Sequence, residues 1–150
     1  MRRGGFSLVE LIIVIGIISL LSAILAPILL PTSGRTLFQT TQEIALHLRE
    51  LRREARFHNR TTRFVVDTEA KRYRMQEKDP WRPLPPEMSI QLTTAESLLR
   101  SDTQGSILFY PDGSSSGGRI ELGLDGRRKI IDIEWLTGHV GVLDTHDAQK

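Results

Sequence analysis

Residues 11–30 carry no charged side chain, and Gly16, Ser19, Ser22 and Pro27 interrupt an otherwise aliphatic run. About twenty residues rising ~1.5 Å each span ~30 Å, the thickness of a bilayer core. This stretch predicts one membrane-spanning helix, and it fixes the plan of everything after it. Arg2 and Arg3 precede the run. Positive residues stay on the cytoplasmic side, so the N-terminus is expected there and the remainder of the chain outside the cytoplasm. That remainder, rich in Arg, Asp, Glu, Thr, Ser and Gly, is long enough for one modest core. Pro27 and Pro31 each lack an N–H and predict a kink or a stop near the end of the span.

Glu10 does not fit a simple anchor. It sits at the edge of the apolar run, and an acidic residue at a helix centre costs roughly 2.5–3.5 kcal/mol to insert, less near the interface. A secretory signal would need a shorter apolar core followed by a small-residue cleavage site, whereas Ile28, Leu29, Leu30 and Pro31 follow this one. A plain signal anchor accounts for the hydrophobicity and orientation but leaves Glu10 unexplained.

The segment Gly5-Phe6-Ser7-Leu8-Val9-Glu10-Leu11 resembles the class III signal of type IV pilins and type II secretion pseudopilins. The resemblance implies that a prepilin peptidase cuts between Gly5 and Phe6 and methylates Phe6 at its new amine. It also implies an assembly role for Glu10, the carboxylate that neutralises the N-terminal amine of a neighbouring subunit. Physically the pairing is reasonable, because a buried carboxylate and a buried amine are each costly alone and tolerable together.

Beyond the span, residues 35–59 read as an amphipathic helix. Ile44, Leu48, Leu51 and Ala55 recur on one face, with Arg49, Arg53, Arg56 and Arg60 opposite. Glu50 and Glu54 lie among the arginines, with Glu50 placed to pair with Arg53. The arginine stripe is either a solvated face or a contact surface for neighbouring subunits or an anionic partner such as DNA. Aromatic residues are not interleaved with it as a single-strand groove requires.

After Asn59 the period becomes that of strands. Residues 61–67 and 72–77 predict a hairpin. Residues 79–86, with four prolines, predict a loop in which Trp81 is expected to pin the chain to the core, and 88–93 predict a strand. A polar connection over 95–105 leads to a strand at 106–110, a Gly- and Ser-dense turn at 111–118 and a strand at 119–122. Asp125-Gly126 is a hairpin signal. Residues 127–135 and 139–143 form the last strand pair around Thr137-Gly138, and 144–150 form a tail.

The stretch Phe109-Tyr110-Pro111-Asp112-Gly113-Ser114-Ser115-Ser116-Gly117-Gly118-Arg119-Ile120, with Thr137-Gly138-His139-Val140, is similar to the GspH/FimT family of minor pseudopilins and minor pilins. The implied fold class is α+β, a long N-terminal transmembrane helix packed on a small β-sandwich-like antiparallel domain. The implied organisation is a leader at 1–5, a transmembrane and assembly helix at 6–30, and a periplasmic continuation of that helix at 31–60. A globular domain at 61–143 and a tail at 144–150 complete it. The loop from Asp112 to Gly118 marks the family without an assigned chemistry.

The implied function is structural, that of a minor pseudopilin at or near the tip of a periplasmic pseudopilus, held in the bacterial inner membrane before assembly. The implied partners are the prepilin peptidase, other major and minor pseudopilins, the inner-membrane assembly platform and membrane lipid. Without Arg2 and Arg3 the basic and acidic residues balance at 18 each, so nucleic acid is not expected as a partner. The alternative is a FimT-like minor pilin of a type IV pilus, with DNA as the candidate partner of the arginine face. A third reading, a signal-anchored periplasmic enzyme, lacks a site. There is no cysteine, and His47, His58, His139 and His146 have no metal-ligand spacing. The Gly-Ser loop lacks the Gly-Lys-Ser/Thr ending of a phosphate loop, Asp112 stands alone where a calcium loop needs several acids, and no Gly-x-Ser-x-Gly elbow occurs. No enzyme activity, cofactor or metal is expected.

Overall fold

The computed structural model describes residues 7–29, 33–95, 101 and 103–144. The chain divides between Thr32 and Ser33 into two compact units.

The first unit holds α1, Leu8–Leu29, a helix that runs on through Pro27. Its side chains are described over residues 7–22, and all of them are exposed. Among the described residues no helix is long and apolar enough to cross a membrane. In the sequence itself the uncharged run continues to Leu30. Pro31 and the predicted break around it lie outside the described residues.

The second unit opens with α2, Ser33–Phe57. Its apolar stripe is buried as expected, with Ile44, Leu48, Leu51 and Ala55 essentially inaccessible. The helix ends where Asn59 adopts a left-handed conformation (φ 49°) and the Arg60 N–H donates to the Ala55 carbonyl at 3.2 Å. This six-to-one bond is the usual close of a helix whose C-terminal carbonyls need donors.

Among the described residues eight strands follow: β1 (Thr62–Asp67), β2 (Arg72–Met75), β3 (Arg82–Pro83), β4 (Ser89–Thr93), β5 (Gln104–Phe109), β6 (Gly118–Leu124), β7 (Arg127–Ile133) and β8 (Val140–Asp144). They form two four-stranded sheets, ordered β3-β2-β1-β5 and β4-β6-β7-β8, with antiparallel pairing throughout. The Asp125-Gly126 turn joins Leu124 to its partner Arg127 with φ of 49° and 75° at the two central residues. Both angles are positive, as the tightest hairpin turn requires. Residues 134–139, which include the expected end of the seventh strand, form a loop instead.

One core joins α2 to both sheets. It gathers Leu48 and Leu51 from the helix, Phe64, Ile107 and Phe109 from the first sheet, and Ile120, Leu122 and Ile131 from the second. Leu84, not Trp81, carries the proline-rich loop into this core. Trp81 is half-buried between two guanidinium groups, with Arg72 and Arg74 at 4.5 and 4.4 Å from its ring. The loop is therefore clamped by cation–π contacts on the β2 surface, and the expectation that Trp81 reaches the core is corrected.

Candidate assembly and contact surfaces

Gly5 and Phe6 lie outside the described residues. Glu10 is exposed in the first turn of α1, beside the Leu11 N–H that donates to the Ser7 carbonyl at 3.1 Å. Around it Leu8, Val9, Leu11, Ile12 and Ile13 are all more than half exposed. The first turn thus offers one anion within an apolar surface.

On α2 the arginines divide by what holds them. Arg49 donates from Nη2 to the Val140 carbonyl at 3.0 Å, and Arg52 donates from Nε to the Gly113 carbonyl at 3.2 Å. Arg56 lays its aliphatic stem against Gly113, where a Cβ would fall 3.1 Å from its Cδ. Arg60 lies past the helix end and pairs with Glu54. Glu54, and not the expected Glu50–Arg53 pair, forms the ion pair here among the described residues. Arg49, Arg52, Arg53, Arg56 and Phe57 line an open cavity of about 390 Å³.

Arg52 was not singled out by the sequence, because it falls between the apolar stripe and the arginine stripe. Its partner loop held the signal. Gly138 is left-handed (φ 63°), and a Cβ there would lie 2.4 Å from the Gly113 carbonyl oxygen and 3.0 Å from Arg52 Nε. That close approach needs glycine.

The Gly-Ser loop uses its hydroxyls internally. The Asp112 carboxylate accepts from the Ser114 N–H at 2.9 Å and from the Ser114 hydroxyl at 2.6 Å, and these bonds hold its pKa below the usual carboxylate range. The Ser115 hydroxyl donates to the Glu134 carbonyl at 3.0 Å, and the Ser116 hydroxyl accepts from the Leu108 N–H at 3.0 Å. The loop thereby ties β5 to the chain beyond β7. This gives the serines a structural use in place of ligand binding.

Two further titratable groups lie at α2, Tyr73 buried and His47 half-buried. The Tyr73 hydroxyl donates to Glu43 at 3.0 Å, and burial together with that carboxylate raises its pKa. His47 packs on the Tyr73 ring at 5.9 Å, and its pKa is lowered, first by burial and then by the Arg82 charge. His58 is exposed and edge-on to Phe57, while His139 is exposed on another loop. His146 lies outside the described residues. Among the described residues no three His, Cys, Asp or Glu side chains are grouped to hold a metal.

Comparison with known proteins adds two family matches. Residues 40–137 match the model of the type II transport protein GspH family, and residues 1–26 match the prokaryotic N-terminal methylation motif. The type II secretion system protein H of Xanthomonas campestris pv. campestris is 32% identical over 137 residues, covering 91% of this chain and 80% of that protein. Two solved structures share the fold. The minor pseudopilin EpsH from the type 2 secretion system of Vibrio cholerae superposes with a TM-score of 0.55 at 12% identity, over 72% of this chain and 96% of that one. The type IV minor pilin FimU of Pseudomonas aeruginosa gives 0.54 at 13% identity, over 80% and 98%.

Proposed function

The chain belongs to the type II transport protein GspH family, and on that footing we propose that it is a minor pseudopilin, a structural subunit of a periplasmic pseudopilus that supports export of folded proteins. The carrying observation is the family match over residues 40–137, joined to the N-terminal methylation motif over 1–26. The uncharged run of residues 11–30 supports a membrane-held precursor with its globular unit in the periplasm.

In this reading a prepilin peptidase removes residues 1–5 and methylates Phe6. The exposed apolar surface of α1 then exchanges lipid for the helices of neighbouring subunits. Glu10 follows at the helix start, where the freed amine of a neighbour neutralises it. Pairing the two opposite charges offsets part of the cost of moving each out of water. The globular unit sits at or near the tip and meets other minor subunits. The chain performs no catalytic step and takes no cofactor. Its part is to be positioned by the assembly platform and to present a surface.

A second reading, a minor pilin of a type IV pilus, is favoured by the FimU likeness, nearly equal to that with EpsH. Deletion of the gene separates the two. Exoproteins held in the periplasm with normal surface pili support the secretion subunit. Normal release with lost pili or twitching refutes it in favour of the pilus subunit.

A further inference from the structure

The outer face of α2 has a composition that neither the core nor the turn chemistry requires. At about 100° per residue, Phe38, Gln42, Leu46, Arg49, Arg53 and Phe57 fall within roughly one quarter to one third of the helix circumference. Phe38, Leu46 and Phe57 are 50%, 61% and 82% exposed. Arg49 and Arg53 lie between the last two anchors and are exposed as well.

The arginines of this face, Arg49, Arg52, Arg53 and Arg56, have no direct ion-pair partner among the described residues. Arg49 and Arg52 are held instead by backbone carbonyls, which orient a guanidinium without cancelling its charge. Of the nearby acids, Glu54 is engaged by Arg60 and Gln76, and Glu50 shares an open cavity with Arg53 and Phe57 without forming an ion pair with Arg53.

We propose that this face of α2 is a docking surface for a segment of a second subunit that carries carboxylates between apolar side chains. The inference rests on the pseudopilin reading for the partner's being a subunit. Arginine and phenylalanine are both enriched at protein interfaces, and arginine forks match carboxylate geometry. A second copy of this chain presenting the same face would set arginine against arginine, which rules out a two-fold pairing through this stripe and favours a different protein as the partner. Phosphates would satisfy the arginines but leave Leu46, an aliphatic side chain with no stacking face, in water. This favours a protein over a nucleic acid.

The test places a photo-crosslinking residue at Leu46 or Phe57 of the full chain in its own host, with Glu69, on the β1–β2 turn, as the control position. Arg53→Glu is the charge reversal, chosen because the Arg53 side chain makes no hydrogen bond or ion pair among the described residues. The expected result is a crosslink to one other protein from both stripe positions and not from Glu69. Arg53→Glu should lower its yield at least tenfold, and a Glu→Arg change in the captured segment should restore it. A nuclease-sensitive product, a product of two copies of this chain, a yield indifferent to Arg53→Glu, or no product overturns the proposal. Exoprotein release is measured alongside. Failed release on deletion with no stripe crosslink refutes the docking surface alone. A charge-dependent crosslink with normal release keeps the surface and refutes the secretion reading.

Discussion

Two glycines separate backbone strain from packing. Gly126 and Gly138 both have positive φ, 75° and 63°, so alanine at either incurs the left-handed penalty of about 1–2 kcal/mol. Their surroundings differ. A Cβ on Gly126 meets nothing within 4 Å, whereas one on Gly138 comes 2.4 Å from the Gly113 carbonyl oxygen. That atom is backbone and already accepts from Arg52, so relief requires the two loops to part. Overpacking of this kind costs about 1–3 kcal/mol more. Gly126→Ala should therefore destabilise by about 1–2 kcal/mol and Gly138→Ala by about 2–5 kcal/mol. At about 4 °C per kcal/mol for a unit of this size, the melting points should fall by about 4–8 °C and about 8–20 °C.

The fragment of residues 33–150 is suited to the assay, because every core residue among those described lies within it. Thermal melts by circular dichroism, with urea unfolding to check that the slope is unchanged, give both values. Adding Arg52→Ala to Gly138→Ala should recover little, since the Gly113 carbonyl remains in the way. Equal losses for the two glycine variants, or full recovery by Arg52→Ala, would refute the claim that backbone contact between the loops fixes this corner.

Asp67 is 4% exposed and accepts from the Ala70 N–H, from Arg72 and from Gln104. Burial alone would raise its pKa, but these donors outweigh it and the net shift is downward. Its contribution is therefore complete above the ordinary carboxylate pKa and is lost as pH falls through the lowered one. Asp67→Asn should cost about 1.5–3 kcal/mol at pH 7 and flatten the loss of stability below about pH 4; an unchanged acid limb in urea titrations from pH 7 to 2 counts against this. Glu10→Ala should leave membrane insertion intact and reduce incorporation into filaments, and normal incorporation sinks the amine-pairing role. Gly5→Trp should block processing, which intact-mass measurement of the membrane-held chain reads directly; a mature product of unchanged mass refutes the cleavage site.

What the sequence made legible was local. The burial of Ile44, Leu48, Leu51 and Ala55 followed from one period, and the Asp125-Gly126 hairpin from the positive φ those residues tolerate. The sandwich of two antiparallel sheets came from the family resemblance, while which strands share a sheet was not legible. Strand β1 pairs with β5 and β4 with β6, and periodicity carries no information on partners that far apart. Arg82–Pro83 read as loop because two residues give no alternation, yet Arg72 and Tyr73 supply a partner strand. Trp81 was misplaced because an aromatic residue among prolines looks like a core anchor, and the guanidiniums that hold it are set by the β2 face. Arg52 was missed because its role depends on a loop some sixty residues away. The apolar members of the α2 outer face, Phe38, Leu46 and Phe57, were unremarkable until the buried face was fixed.

The bonding of β5 bears on how such a subunit can be stored. The Gln104 N–H, the Ser106 carbonyl and both backbone groups of Leu108 are taken by Ser101, Thr94 and Ser116. A strand whose outer backbone is already satisfied cannot template another chain, and an open edge is the usual seed of sheet-on-sheet aggregation. Molecules crowded in one compartment can then meet along β5 without extending that sheet, whose other edge is the two-residue β3. Contacts made through side chains can be undone, whereas a shared sheet tends to persist. The Ser116 hydroxyl and N–H, together with Ser101 and Thr94, thus act as a terminator on the β5 edge, leaving growth to other surfaces.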